Sequence, residues 1–325
     1  GKEYIIEHGA VIIAVGAKEY KPDEYLYGKD QRVITGLELD ERFIKGDPSL
    51  KRLKSVVFIQ CVGSRDKERP YCSKVCCTHS IKNALYLKEK YPDLDIYILY
   101  RDIRTYGQRE NLYIKARRKG IIFIRFDLER KPKVELENGE INITVKDHVI
   151  NRELKIPADL LVLASAIVPY ENERLAQLFK VPLNEDGFFV ESHPKLAPSE
   201  FATEGVFLCG MAHYPKPIEE AVAQAKASVS RAMTLLTKDK IFAEGNVSVI
   251  DPVLCSGCGM CVSICPYGAP YIIEEGRFAG KAAINPVLCK GCGLCVASCR
   301  CGAINLNGFR TEQIMSMINE LGAGL

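Results

Sequence analysis

The sequence predicts an α/β chain that closes in a small α+β unit, and three observations carry that prediction. Between residues 55 and 126 the runs SVVFIQ, DIYILY and GIIFIRF alternate with polar helical stretches, the pattern of a parallel sheet. Apolar strands that end at Gly16 and at Gly210 lie on either side of this block, which reads as an insertion into a split unit. From Cys255 to Cys301 the chain reads CSGCGMCVSICP and then CKGCGLCVASCRC, a duplicated cysteine run.

The totals are ordinary for a globular protein: 325 residues, 47% hydrophobic and 26% charged, enough for two or three domains. A net charge of +3 leaves no nucleic-acid footprint, and no apolar run is long enough to span a bilayer. With no targeting segment in view, the expected location is the reducing cytoplasm. There, fourteen cysteines read as metal ligands rather than disulfides.

The opening stretch GKEYIIEHGAVIIAVGAKEYKP holds a buried strand, Ala10 to Val15, followed by Gly16 and, downstream, Pro22. A small residue and a glycine at a strand end let backbone approach a ligand closely. The segment resembles the hhhATG-x-x-x-x-P stretch of flavoproteins with two dinucleotide-binding domains, which implies FAD contacts at Val15, Gly16 and Ala17. In that family a G-x-G-x-x-G turn comes earlier. None occurs in these 325 residues, so the expectation is a fragment, or a second polypeptide that supplies that half.

In the inserted block a helix from about Ser73 to Tyr91 follows the first strand and makes a Rossmann-like βαβ start. A nicotinamide-binding version would place glycines after that strand. This chain reads CVGSRDKERPYCSKVCCTHSIKNAL instead. Cys61 ends the strand, and Cys72, Cys76 and Cys77 are expected at the helix start, with Cys72 and Cys76 on one helix face. Thiolates at a helix N-terminus suit a negative iron–sulfur centre, so a [4Fe-4S] cluster is the preferred reading over buried or redox-sensing cysteines. Binding of NAD(P)H is correspondingly disfavoured. Residues Lys131 to Pro157 alternate like a polar-faced hairpin and carry no recognisable chemistry.

The split unit is expected to resume with the strand Asp159 to Ser165 (DLLVLAS) and to end with a second strand, Val206 to Cys209. After Gly210, a loop with Pro215 and Pro217 opens a long helix made small-sided by Ala221, Ala223, Ala225 and Ala227. This resembles the second FAD fingerprint of thioredoxin reductase-like flavoproteins, with Met211 in place of the usual acidic residue. The resemblance implies flavin contacts at Gly210, Met211 and Ala212, and at the helix N-terminus by Ile218 and Glu219. Either half alone is also a common structural α/β turn. Cys209 reads as a small core residue, while His213 and Tyr214 read as loop packing or flavin neighbours.

In the C-terminal runs, Cys255, Cys258, Cys261 and Cys265 follow C-x2-C-x2-C-x3-C, and Cys289, Cys292, Cys295 and Cys299 repeat it. Gly257, Gly259, Gly291 and Gly293 supply the tight turns. In two-cluster ferredoxins the fourth cysteine of each run ligates the other run's cluster. Cluster one is then held by Cys255, Cys258, Cys261 and Cys299, and cluster two by Cys289, Cys292, Cys295 and Cys265. Zinc takes four ligands in one closed site and disulfide scaffolds belong to small secreted chains; both fit the interleaved runs poorly. Cys301 is surplus to both cubanes and reads as a free thiol. Residues 309–321 form an amphipathic helix with Ile314, Ile318 and Leu321 on one face, suited to docking a partner or to capping the ferredoxin unit.

Together, the C-x10-C-x3-CC pattern, the two flavin-type segments and the C-terminal ferredoxin run resemble the A-type subunit of heterodisulfide reductase. The resemblance implies a thioredoxin reductase-like split FAD domain (1–48 and 155–240) with an inserted degenerate Rossmann-like domain (49–154). A bacterial-type α+β ferredoxin domain (246–307) and a tail (308–325) follow. It implies FAD and three [4Fe-4S] clusters, and places Lys82 toward the flavin N5, where the plain reading is a solvated helix lysine. The expected role is electron transfer between a two-electron flavin and one-electron clusters, with bifurcation within its scope. Substrate sites would lie on other heterodisulfide reductase-like subunits. A hydrogenase- or formate dehydrogenase-type module, and ferredoxin, would be the exchange partners. A glutamate synthase-like NAD(P)H flavoenzyme and a flavin-free polyferredoxin-like carrier are the rival readings.

Overall fold

The computed structural model describes residues 4–240 and 245–322. β1 (Val11–Ile13) and β2 (Lys18–Glu19) are followed by β3 (Val33–Thr35), which runs into α1 (Gly36–Lys45). A capping box sets that start: the Thr35 hydroxyl accepts from the Glu38 N–H, and the Glu38 carboxylate accepts from the Thr35 N–H. Next come β4 (Ser55–Val62), α2 (Cys76–Lys90), β5 (Asp95–Tyr100), α3 (Glu110–Arg118) and β6 (Ile122–Arg125). β7 (Lys133–Glu137), β8 (Glu140–Asp147) and β9 (Arg152–Ala158) form an antiparallel meander, one strand more than the expected hairpin. β10 (Leu160–Ser165) and β11 (Ile167–Val168) follow, and β11 pairs with β2.

The central sheet has the order β3-β10-β4-β5-β6, with every pair parallel. Alternation along β4 explains its layers. Val56 and Phe58 face α1, α2 and α3, whereas Val57 and Ile59 face Ile141, Ile143 and Val145 of the meander. The strand 159–165, expected with the flavin pieces, therefore belongs to the middle of the inserted sheet, and β3 with α1 completes it. Leu160 to Ala164 are buried without a break, as a parallel strand covered on both faces requires. This adjacency joins residues 33 and 161 and leaves no local trace in the sequence.

After α4 (Glu173–Phe179) comes β12 (Val206–Leu208), which pairs in parallel with β1 in the register Ile13↔Leu208. α5 (Ile218–Leu236) lies over this pair through Ser228 and Ala232, and the Ser228 hydroxyl donates to the Leu208 carbonyl at 2.7 Å. The C-terminal unit is built from β13 (Ser248–Ile250), α6 (Met260–Ile264), β14 (Pro270–Ile272), β15 (Ala282–Ile284), α7 (Leu294–Ala297) and β16 (Ile304–Leu306). β13 pairs with β16 and β14 with β15, both antiparallel. α8 (Thr311–Gly322) ends the described chain with every described side chain exposed, so it does not cap the ferredoxin unit. Among the described residues no helix is long and apolar enough to cross a membrane.

Candidate metal centre and cofactor cleft

The two cysteine runs fold alike because their glycines do. Gly259 and Gly293 both precede a short helix in the left-handed region, at φ 73° and ψ −1°. Cys265 of the first run and Cys289, Cys292 and Cys295 of the second line one small recess. The Ser248 N–H donates to Cys289 Sγ at 3.3 Å, and the Ser248 hydroxyl lies 3.4 Å from Cys295 Sγ. On the other side, Cys255 Sγ accepts from the Gly257 N–H at 3.4 Å and the Ala282 N–H at 3.5 Å. Cys261 and Cys255 are buried, Cys299 is half-buried and Cys258 is exposed. Burial pushes the Cys261 and Cys295 thiols up, while the Met260 N–H draws Cys258 down. Among the described residues no three His, Cys, Asp or Glu side chains converge closely enough for one ion. Backbone donors aimed at these sulfurs favour their thiolate forms, the state in which cysteine binds a metal centre.

The second cysteine group lies at the carboxyl ends of β4 and β5, where open parallel sheets place their ligands. Cys61 has φ 62°, a strained conformation for a non-glycine residue. Cys76 and Cys77 begin α2 and are buried. Cys72, expected on the same helix face as Cys76, lies in the preceding loop instead. Lys74 at φ 59° breaks any helix there, and its N–H donates to Cys72 Sγ at 3.3 Å. Cys76 is within electrostatic reach of Cys61, Cys72 and Cys77, and Cys61 within reach of Cys72 and Cys77. Burial, then Cys77, pushes Cys61 up to about 11, and the hydrogen bond from Cys76 brings Cys77 down to about 7.

Sequence reasoning missed the charges around this group. Arg65 Nη1 lies 3.9 Å from Cys61 Sγ, and its Nη2 pairs with Asp102 at 2.6 Å. Cys77 Sγ donates to the Asp102 carbonyl at 3.7 Å, and Arg104 also reaches Asp102. The only local signal was an arginine shortly after each of two strand ends.

A recess of about 250 Å³ borders Cys76 and is lined by Ala17, Lys18, His79, Ala166 and Met211, among others. It brings Ala17 and Met211, expected in contact with flavin, next to the cysteine group. Gly16 and Gly210 follow the paired strands β1 and β12, both at positive φ. Val15 is exposed and Ala212, at the end of the Gly210 turn, is buried. Ile218 is exposed, and Glu219 is ion-paired with Arg109. Lys82 is exposed on α2 and does not line this recess.

Beneath the Gly210 loop sits an unexpected buried cation, Lys216, only 2% exposed. Its Nζ contacts Gln224 Oε1 and lies 3.2 Å from His213 Nδ1 and 4.1 Å from the Tyr214 ring centroid. Gln224 Oε1 also accepts from the Gly210 N–H, and His213 Nε2 bonds Glu191 at 2.6 Å. Burial, then Lys74, lowers Lys216 to about 8.

The family described as 4Fe-4S dicluster domain matches residues 254–303. The A-type subunit of the H(2):CoB-CoM heterodisulfide,ferredoxin reductase of Methanothermobacter thermautotrophicus is 41% identical over 98% of this chain and 50% of its own length. A protein of Archaeoglobus profundus, described as like the A-type subunit of heterodisulfide reductase, is 44% identical over 97% of this chain and 50% of its own. Along nearly its whole length the chain is thus similar to A-type subunits of heterodisulfide reductases. It spans about half the length of the curated relatives it matches. Among solved structures, the thioredoxin reductase of T. acidophilum superposes with a TM-score of 0.47 at 15% identity, over 70% of this chain and 66% of that one. That match is too loose to add weight.

Proposed function

We propose that this chain is a flavin- and iron–sulfur electron-transfer module of a heterodisulfide reductase-like complex. The observation that supports it best is the cleft that joins Ala17 and Met211 to Cys76, beside a four-cysteine group and in a chain that also carries a dicluster unit. In this reading Cys61, Cys72, Cys76 and Cys77 hold a third [4Fe-4S] cluster, while the C-terminal cysteines hold two as paired above. FAD would rest against Gly16, Ala17, Gly210 and Met211, and its chemistry would be to exchange electrons in pairs while clusters exchange them singly.

The chain's own residues then have separable tasks. Arg65 and Arg104 offset negative charge on the cysteine group. Gln224 and Lys216 hold the Gly210 loop in place. Lys82 would approach the flavin only from α2's exposed face. The dinucleotide-binding G-x-G-x-x-G half would come from sequence outside these 325 residues. It would cover the exposed apolar stripe Ile218, Val222, Val229 and Met233 of α5. Substrate chemistry, on a disulfide such as the CoB-CoM heterodisulfide in the relatives' names, would belong to partner subunits. A hydrogenase- or formate dehydrogenase-type module, and ferredoxin, would exchange electrons with it.

Anaerobic preparation with iron, sulfide and flavin analysis tests the reading. About twelve irons per chain are expected, with flavin retained once the complementary half is supplied. About eight irons would remove the third cluster, and flavin bleaching by NADPH would favour the glutamate synthase-like alternative.

A further inference from the structure

The two cysteine runs are not equivalent after their fourth cysteine. The first continues Cys265-Pro266-Tyr267 and the second Cys299-Arg300-Cys301, so a thiol stands in the second run where the first has an aromatic ring. The fold uses that difference. The Gly302 N–H donates to the Cys299 carbonyl at 3.2 Å, and Gly302 takes φ 65°. This tight turn folds Cys301 back beside Cys299, with the two Sγ atoms 3.7 Å apart. Cys301 Sγ also lies 3.9 Å from the hydroxyl of Ser256, which sits between Cys255 and Cys258. Cys299 packs inward against the Cys255, Cys261 and Cys295 cluster, whereas Cys301 is exposed at its rim. Five thiols thus gather at the site of cluster one, one more than a cubane takes.

We propose that Cys301 is a reserve ligand of cluster one, able to replace Cys299 on the same iron. This rests on the reading that Cys255, Cys258, Cys261 and Cys299 hold that cluster. In the exchange the iron–sulfur bond to Cys299 breaks and one to Cys301 forms, and the Cys301 proton passes to the departing Cys299 thiolate. No electron moves, so no oxidant or reductant is required. A sulfur already within 3.7 Å of the one it replaces needs only side-chain rotation and a small shift of the Cys299–Gly302 turn. Cluster two has no such neighbour, because Tyr267 offers no thiol.

Alanine variants of the full 325-residue chain, prepared anaerobically, decide the matter by iron and sulfide content and by EPR of the reduced protein. Cys299→Ala should keep its iron, with an altered cluster-one signal, and Cys301→Ala should keep its iron with an unaltered one. The double variant and Cys265→Ala should each lose about four irons. If Cys299→Ala loses as much iron as the double variant, with or without the cluster-two signal, the proposal is wrong. It is equally wrong if the double variant loses none. Cys255→Ala is the control for the underlying reading: if it keeps all its iron, cluster one itself has been misassigned.

Discussion

Alanine at Gly257 and, separately, at Gly259 should have unequal consequences although both glycines have nearly the same backbone conformation. Gly257 has φ +76° and Gly259 φ +73°, so each substitution carries a left-handed penalty of about 1–2 kcal/mol. Their surroundings differ. A Cβ on Gly257 would stand 2.5 Å from the Gly280 carbonyl oxygen, while one on Gly259 meets nothing within 4 Å. The Gly280 carbonyl is main chain in the turn between β14 and β15, where the Gly280 N–H donates to the Ile273 carbonyl at 2.8 Å, so it cannot rotate aside as a side chain would. Overpacking of this kind costs about 1–3 kcal/mol, which brings Gly257→Ala to roughly 2–5 kcal/mol in total. The difference between the variants is about 1–3 kcal/mol, or about fivefold to 150-fold in local opening.

The assay is the half-life of visible absorbance under anaerobic challenge with an iron chelator, with EPR to identify the lost cluster. Gly257→Ala should lose cluster one first and fastest, and Gly259→Ala should stay close to the parent. The second run repeats the experiment: a Cβ on Gly291 would overlap the Asn246 carbonyl oxygen, and one on Gly293 meets nothing within 4 Å. Equal sensitivity within either pair, or a reversed order, would refute the reasoning.

Cys76→Ala should remove about four irons and leave the ferredoxin-unit EPR signals unchanged, since that thiol lies in the cleft far along the chain from the two runs. Arg65→Met removes a cation whose Nη1 lies 3.9 Å from Cys61 Sγ. With Asp102 already offsetting part of its charge, the midpoint potential of the cluster proposed there should fall by on the order of 50 mV in a redox titration. Lys216 is held at about 8, below its ordinary 10.5. Between those values the unfolded chain carries a proton that the folded chain lacks, so stability rises with pH across the window. Below pH 8 the folded protein bears the full cost, up to about 3 kcal/mol. Lys216→Met should therefore flatten the rise in unfolding free energy between pH 7.5 and 9.5, followed by far-ultraviolet circular dichroism; an unchanged slope would count against a buried ammonium there.

The cysteine runs were legible from sequence because ligand spacing is a local property. Residues two and three apart, with glycines at 257, 259, 291 and 293, define the loops before any tertiary contact forms. The alternation of strands and helices from residue 55 to 126 was legible for the same reason. The failures were all of longer range or of single backbone angles. Cys72 looked helical by spacing, but one left-handed residue, Lys74, keeps it in a loop.

The tertiary structure alone decided which strands share a sheet. It placed β10 between β3 and β4, although an apolar run reads the same in either unit. It also drew Arg65, Asp102 and Arg104 around Cys61 and Cys77, and buried Lys216 between two prolines where no periodicity marks a core position. Spacing along the chain specifies which atoms can grip a common centre; burial and charge depend on what distant segments bring to the same place.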